Sequence, residues 1–378
     1  MKFVHLSDLH IGKRVNDFSM LEDQEYILNQ IISLIDEEAP EGVILAGDIY
    51  DKSLPSAEAV QLFDHFLVRL ARRKLKVFVI SGNHDSPERI AFGSRLMHHS
   101  GVYMSPVYQG EVEPVELSDE YGKLRVYMLP FIKPAHVRRF FPETEITDYA
   151  SAVATAVEAM AIDPSQRNLL VAHQFVTGAL RSESEDINVG GIDNVPAEIF
   201  EVFDYVALGH IHRPQHVYKE TIRYAGTPLK YSFSEAGYDK SLTVIECREK
   251  GHCLLRTLPL KPLRDLLEIK GSYMTLTARD FYQGLDTKAY YHVTLTDEED
   301  IPDAVGKLRA VYPNLMKLDY DNQRTRSNRE ILGDEDVDQK SPLVLFQEFY
   351  EQQNNQPLSE DQLEFTAALM ETIWEGEV

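Results

Sequence analysis

One device, used five times, constrains this chain more than any other: a short apolar run rich in Val, Ile and Leu that stops at Asp, Asn or His. Val4-His5-Leu6-Ser7-Asp8-Leu9-His10 is the first instance and Val43-Ile44-Leu45-Ala46-Gly47-Asp48 the second. Val77-Phe78-Val79-Ile80-Ser81-Gly82-Asn83-His84-Asp85, Leu169-Leu170-Val171-Ala172-His173 and Tyr205-Val206-Ala207-Leu208-Gly209-His210-Ile211-His212 follow. Continuous runs of this kind read as strands buried on both faces. Open α/β sheets bind ligands outside the carboxyl ends of their strands, so the five polar ends are expected to converge on one site.

The intervening segments fit that plan. Leu21 to Glu38 sets Ile27, Ile31, Leu34 and Ile35 at helical spacing before Pro40, and Ser56 to Arg73 does the same with Val60, Phe63, Leu67 and Leu70. Strand and helix in alternation predict a βαβαβ unit with parallel strands. Further helices are expected near Pro87 and over Asp148 to Ala161, with strands over Arg125 to Phe131, Val217 to Tyr224 and Ser241 to Cys247. Asp85 reads as a cap for the helix at Pro87. Thr177 to Asn194, containing Gly190-Gly191, has no apolar period and is long enough to imply a functional role or disorder.

A change of style at Pro262 ends the α/β domain, read as residues 1–259. Residues 260–322 form a small α+β module: strands over Leu266 to Leu276, Ala289 to Thr296 and Leu315 to Tyr320, and a helix bearing Ile301, Ala304, Val305, Leu308 and Val311. An acidic linker, 323–340, leads to two helices in 341–378. The first carries Leu343, Phe346 and Tyr350, and the second opens on a Ser359/Gln362 capping box and carries Leu363, Ala367, Met370 and Trp374. Two short helices on a linker cannot bury such faces alone, so they are expected to bind a partner.

Charge limits the mode of action. The formal net charge of -23 excludes a protein that holds nucleic acid by its bulk field, because phosphate binding is driven by Lys and Arg displacing counterions. Lys13, Arg14 and Arg89, just after site motifs, are the candidates for local phosphate contacts. Cys247 and Cys253 flank a hairpin-like turn and are read as reduced thiols, with a disulfide as the alternative. With no basic leader and no run of about 18 apolar residues, the expectation is a cytoplasmic protein that does not enter a membrane.

Singly, a strand-terminal Asp is a turn cap and a buried His a hydrogen-bonded core residue. The ordered conjunction of Asp-x-His, Gly-Asp-x-x-Asp, Gly-Asn-His-Asp, a lone strand-end His and Gly-His-x-His is another matter. It resembles the calcineurin-like metallophosphoesterase superfamily, whose sites hold two divalent metals. The stretches Val189 to Gln215 and Tyr224 to Glu235, and the C-terminal module, resemble its Mre-type repair nucleases. That resemblance implies a four-layer α/β domain, two mixed β-sheets flanked by helices, with 260–322 as a capping domain. Asp8, His10, Asp48 and His212 would bind one metal and Asp48, Asn83, His173 and His210 the other, Asp48 bridging. Family habit favours Mn²⁺, although mixed oxygen and nitrogen ligands also suit Fe²⁺ and Zn²⁺. His84 would contact the phosphate and protonate the leaving oxygen, with the Asp51 carboxylate orienting it; a plain turn residue is the other reading of Asp51.

The implied activity is 3′ to 5′ exonuclease action on duplex DNA and endonuclease action on single strands and hairpins. The implied partners are DNA, an ATPase of the SMC type held by Leu343, Phe346, Leu363, Met370 and Trp374, and a second copy of the chain within a heterotetramer. A phosphatase or cyclic-nucleotide phosphodiesterase, and a non-catalytic scaffold of the same fold, are the alternatives.

Overall fold

Each apolar run becomes a strand, and the computed structural model describes residues 1–185, 193–322, 341–354 and 357–375. The first half runs β1 (Lys2–Leu6), a small ribbon of β2 (Arg14–Val15) and β3 (Phe18–Ser19), α1 (Leu21–Glu38), β4 (Gly42–Ala46), α2 (Ala57–Arg72), β5 (Lys76–Ile80), the single turns α3 (Pro87–Ile90) and α4 (Ser94–Met97), and β6 (Val102–Met104). Next come β7 (Val115–Asp119), β8 (Gly122–Met128), α5 (Pro134–Arg138), α6 (Tyr149–Ala159), β9 (Arg167–His173), β10 (Tyr205–Gly209), β11 (Gln215–Val217) and β12 (Lys219–Tyr224). The hairpin of β13 (Lys240–Cys247) and β14 (Cys253–Leu260) then returns to the first sheet, with both cysteines as free thiols.

Two mixed six-stranded sheets result, ordered β14-β13-β1-β4-β5-β6 and β11-β12-β10-β9-β8-β7. Because side chains alternate across a strand, each strand feeds two cores. In β4, Val43 and Leu45 face α1 and α2 and pack with Ile27, Ile31, Phe63 and Leu70. Ile44 and Ala46 face inward, against Leu169, Val171, Tyr205 and Ala207 of the second sheet. The outer face of that sheet, with Leu170, Ala172, Val206 and Leu208, is covered by Ala152, Val153 and Ala156 of α6. Helix, sheet, sheet and helix therefore stack as four layers. No helix among the described residues is long and apolar enough to cross a membrane.

A separate parallel sheet, β15 (Leu266–Gly271), β16 (Tyr290–Leu295) and β17 (Leu315–Tyr320), has its own core with α7 (Tyr273–Leu276), α8 (Arg279–Tyr282) and α9 (Ala304–Arg309). It is pinned to the main body at Asp23, a fully buried carboxylate at the start of α1. Asp23 accepts from the Arg264 guanidinium at 2.7 and 3.1 Å and from the Tyr290 hydroxyl at 2.8 Å. The neighbouring Gln24 reaches the other way: its amide donates to the His10 carbonyl at 2.8 Å and accepts from Gly12 N–H at 2.9 Å. One helical turn thus holds both the added sheet and the first site loop. Beyond it, α10 (Pro342–Asn354) and α11 (Glu360–Glu375) follow, the latter opened by the reciprocal Ser359 and Gln362 bonds of a capping box.

Several boundaries differ from expectation. The strand read over Arg125 to Phe131 ends at Met128 and begins at Gly122, because it pairs back on β7 through a tight turn. Tyr218, at φ 61°, splits the Val217 to Tyr224 run into two antiparallel strands. Leu266 to Leu276 is strand only to Gly271, since the Ser272 side chain accepts from Thr275 N–H and starts a helical turn. Ser86, not Asp85, caps α3. The linker 323–340 and Gly190-Gly191 lie outside the described residues, as does the side chain of Trp374.

Candidate metal centre

All five strand ends meet at the seam between the two sheets. The first sheet delivers Asp8 and His10 after β1, Asp48 after β4, and Asn83 and His84 after β5. The second delivers His173 at the end of β9, and His210 and His212 after β10. Asp8, His10 and His212 bring ligand atoms within 4.8 Å of one another, as do Asp8, Asp48 and His173, and His10, Asp48 and His84. Asn83 Oδ1 lies 3.0 Å from His173 Nε2 and 2.9 Å from His210 Nδ1, which ties the remaining candidates into the same cluster.

So close a meeting depends on two glycines. A Cβ on Gly82 would lie 2.1 Å from Asp48 Oδ1, and one on Gly209 would lie 1.9 Å from the Ala46 carbonyl. Strain collects here too: Asp8, His10, Asp48 and His210 have φ of 52°, 44°, 49° and 101°. Non-glycine residues in this region cost of order 1–3 kcal/mol each and persist where the surroundings over-determine them. Those surroundings are visible. The Asp85 carboxylate accepts from the backbone N–H groups of Ile49, Tyr50 and Gly82, each at 3.0 Å, and so locks the second site loop to the third. Asp48 Oδ1 accepts from His84 N–H at 2.9 Å, and Asp8 Oδ1 from His210 N–H at 2.9 Å.

The electrostatics suit cations. Burial, assisted by the nearby Asp48, raises the Asp8 carboxyl to about 7. Burial also acts to raise Asp48, but His173, His10 and His84 around it hold it well below the carboxylate range. His173 responds in kind: burial lowers it, yet Asp48 carries it up to about 9. Burial pushes His10 and His210 well below the usual imidazole range. Asp8 Oδ2 is buried with no hydrogen-bond partner among the described residues, and His10 Nε2 faces His212 Nε2 at 3.1 Å. Orphaned oxygen, opposed imidazole nitrogens and two adjacent carboxylates form a donor set that fits divalent metal ions.

His84 Nδ1 lies 3.1 Å from the backbone carbonyl of Asp51, whereas the Asp51 carboxylate accepts from Lys13 Nζ at 2.8 Å and lies 3.8 Å from His10 Nδ1. It is thus the Asp51 main chain that meets the His84 imidazole at Nδ1, while the carboxylate pairs with Lys13. Lys13 is half-buried and engaged by Asp51. Arg14 is exposed and donates to the Asp17 carbonyl, and Arg89 is exposed on α3. In the C-terminal helices Leu343, Leu363 and Met370 are half-buried while Phe346, Phe349, Phe365 and Leu369 are exposed.

Residue-pattern reading missed a buried network behind His212. Glu235, fully buried, is acted on first by burial, which raises it, but Lys240 and His212 bring it down to about 2. Lys240 Nζ also donates to the His212 carbonyl at 2.8 Å and to Thr227 Oγ1 at 2.6 Å. Glu185 accepts from His212 N–H at 2.7 Å, and burial raises its carboxyl to about 7. The forewarnings were the unusual length of the loop carrying Ser184 and Glu185 and the resemblance carried by Tyr224 to Glu235.

These features define a calcineurin-like phosphoesterase, and the model of that family matches residues 1–214. Residues 262–354 match a second family model, described as type 5 capsule protein repressor C-terminal domain. The chain belongs to the SbcD family: SbcD of the SbcCD nuclease from Staphylococcus epidermidis is 33% identical over 385 aligned positions, covering 100% of both chains. Among solved structures, a dimetal phosphatase from Danio rerio is 10% identical, covering 69% of this chain and 98% of its own, with a TM-score of 0.40. The phosphoesterase Yfce from E. coli is 12% identical, covering 69% and 100%, at 0.28. Likeness at that level carries no weight in the assignment.

Proposed function

We propose that this chain is a manganese-dependent DNA nuclease that acts with an SbcC-type ATPase of the SMC kind. The single observation behind the reading is the convergence of seven ligand-type side chains from five strand ends, with His84 beside them, in a chain similar over its whole length to the SbcD component of an SbcCD nuclease. Asp8, His10, Asp48 and His212 would hold one metal, and Asp48, Asn83, His173 and His210 the other. When bound, two such cations polarise a phosphodiester, lower the pKa of a water and offset charge in the transition state.

The chain's own residues do the rest. Asp48 lies 3.7 and 3.3 Å from His10 and His173, which supports its reading as the shared carboxylate. His84 keeps Nδ1 on the Asp51 carbonyl and has Nε2 4.0 Å from Asp48 Oδ2, and in this reading that second nitrogen serves a bound phosphate. As water adds to phosphorus with loss of one proton to solvent and the P–O ester bond breaks, His84 in its doubly protonated form gives its Nε2 proton to the leaving oxygen and takes another from solvent. A phosphate monoester and a free hydroxyl are the products. Proton donation of this kind contributes typically about 10² to 10⁴ in rate.

The substrate is duplex ends, cut 3′ to 5′, together with single strands and hairpins. Arg14 and Arg89 supply local phosphate contacts, and the partner supplies the basic surface that a chain of net charge -23 lacks. The exposed apolar residues of α10 and α11, with Leu343, Leu363, Met370 and Trp374, dock on that partner as helices in a groove. Residues 260–322 act as a cap over the nuclease body, and two copies pair within a cytoplasmic heterotetramer. The test is the purified chain with Mn²⁺ on duplex, hairpin and single-stranded DNA, beside p-nitrophenyl phosphate and cyclic nucleotides. Metal-dependent cleavage of DNA is expected. Turnover of the small esters alone would replace the reading with a phosphatase or cyclic-nucleotide phosphodiesterase, and no turnover of any substrate would indicate a scaffold.

A further inference from the structure

The candidate histidines are not held alike. His173 has its Nδ1 against the Ala46 carbonyl at 2.8 Å, a main-chain acceptor that leaves Nε2 for the centre. Among the described residues, no such carbonyl meets the His212 ring. Its Nδ1 meets Ser184 Oγ at 2.6 Å, and Ser184 Oγ in turn donates to Glu235 Oε1. Lys240 Nζ pairs with Glu235 Oε2 on the far side, so the carboxylate is a fixed acceptor at the end of the line. A carboxylate that accepts the Ser184 hydroxyl proton leaves that oxygen only lone pairs to offer His212. The imidazole must then carry its proton on Nδ1 and present an unprotonated Nε2.

We propose that Ser184 and Glu235 act as a positioning relay that fixes His212 in its Nδ1–H tautomer and aims Nε2 into the metal centre. The relay rests on the reading of His212 as a metal ligand and adds to it the reason that this ring is correctly protonated before metal arrives. Groups of this kind, one bond removed from a metal, typically alter affinity by about 10- to 100-fold. Ser184 stands on the loop after β9, whereas Glu235 and Lys240 precede or begin β13. The tautomer of a second-sheet histidine is therefore set by residues from two other parts of the chain.

Ser184→Ala isolates the effect, because the His212 main chain keeps its bonds to Glu185, Thr227 and Lys240. Glu235→Gln is the poorer probe, since it also strips the buried Lys240 of its charge partner. The full-length protein would be titrated with Mn²⁺ by calorimetry. The metal-free protein, labelled with ¹⁵N histidine, would be read by two-bond ¹⁵N–¹H correlation for the tautomer of His212. Expected for Ser184→Ala are a 10- to 100-fold weaker affinity at one of two sites, the other site within about twofold, and loss of a uniform Nδ1–H signature. Ser184→Thr should restore both, and thermal unfolding in chelator should match wild type. An unchanged tautomer, equal weakening of both sites, or failure of the threonine variant to rescue overturns the relay. His212→Ala separates the two ideas: if it leaves both metals bound, the ligand reading fails, whereas metal loss in that variant but not in Ser184→Ala removes the relay alone.

Discussion

The first sheet brings to the centre two carboxylates, an amide and the imidazoles of His10 and His84; the second brings only imidazoles. The difference extends to the backbone. Three first-sheet candidates, Asp8, His10 and Asp48, have positive φ, whereas in the second sheet His210 does so at 101° and His173 is still in register, opposite Gly209 in the β9–β10 ladder. It extends also to the staples behind each half. In the first sheet the ionisable Asp85 gathers three backbone N–H groups, and burial followed by the nearness of Asp48 raises it to about 6. In the second, the neutral Tyr224 hydroxyl accepts from Val176 N–H and donates to the Gln174 carbonyl, both at 2.8 Å. Among the ligand-type residues, both carboxylates thus stand on one wall, and the other wall completes the donor set with imidazoles alone. Damage to the two walls should have unequal consequences.

The largest contrast is between Asp48→Ala and His173→Ala. Asp48 takes part in two of the three donor clusters, so its loss is expected to abolish both metals and lower nuclease activity by about 10³-fold or more, several kcal/mol of transition-state stabilisation. His173→Ala should release one metal and keep the other. Elemental analysis after gel filtration distinguishes them, and equal stoichiometry in the two variants would break the comparison between walls.

Next in size is His84→Gln. Placed on the first wall but outside the proposed ligand set, it should leave metal content unchanged while activity falls about 10² to 10⁴. Loss of metal in this variant would make His84 a ligand and shift the first wall further toward metal binding.

Smaller again, and on the second wall, is Tyr224→Phe. The change leaves the buried Val176 N–H and Gln174 carbonyl without their hydroxyl, and is expected to cost about 1–3 kcal/mol of stability. Chemical unfolding in chelator measures it, and metal stoichiometry should stay at the wild-type value. A drop in bound metal without a drop in stability would mean that Tyr224 works on the centre rather than on the loop.

The two walls were not equally legible in the sequence. The strands and all seven ligand-type residues could be read because each apolar run stops at a polar residue, a pattern local to a few positions. Helix α1 emerged with its bounds intact because Ile27, Ile31 and Ile35 mark one face and Pro40 closes it. The network of Ser184, Glu185, Glu235 and Lys240 was invisible for the opposite reason: its members are far apart in the chain and individually ordinary. Asp85 is the intermediate case. Its position after Asn83-His84 suggested a cap, but burial turned its carboxylate toward Ile49 and Tyr50, and the cap fell to Ser86. Strand ends at Gly271 and Tyr218 were misread because one Ser N-cap or one left-handed residue outweighs several residues of β propensity.

The smallest effect is expected at Asp51, where the residue's main chain and side chain have separate tasks. His84 Nδ1 is held by the Asp51 carbonyl, which a substitution of the side chain leaves in place. The carboxylate serves Lys13 instead, across 2.8 Å, with side chains 16% and 14% exposed. An ion pair at that depth lies above the 0–1 kcal/mol of a surface pair only if its geometry is fixed, and Lys13 has a second neighbour in the Tyr231 ring at 5.9 Å. Asp51→Asn, which keeps an acceptor oxygen for Lys13, should therefore lower activity less than about tenfold, below 1.4 kcal/mol, with both metals retained. Steady-state rates beside those of His84→Gln measure this. If the two variants lose activity equally, the carboxylate reaches the imidazole during turnover, and the first wall carries an orienting acid in addition to its ligands.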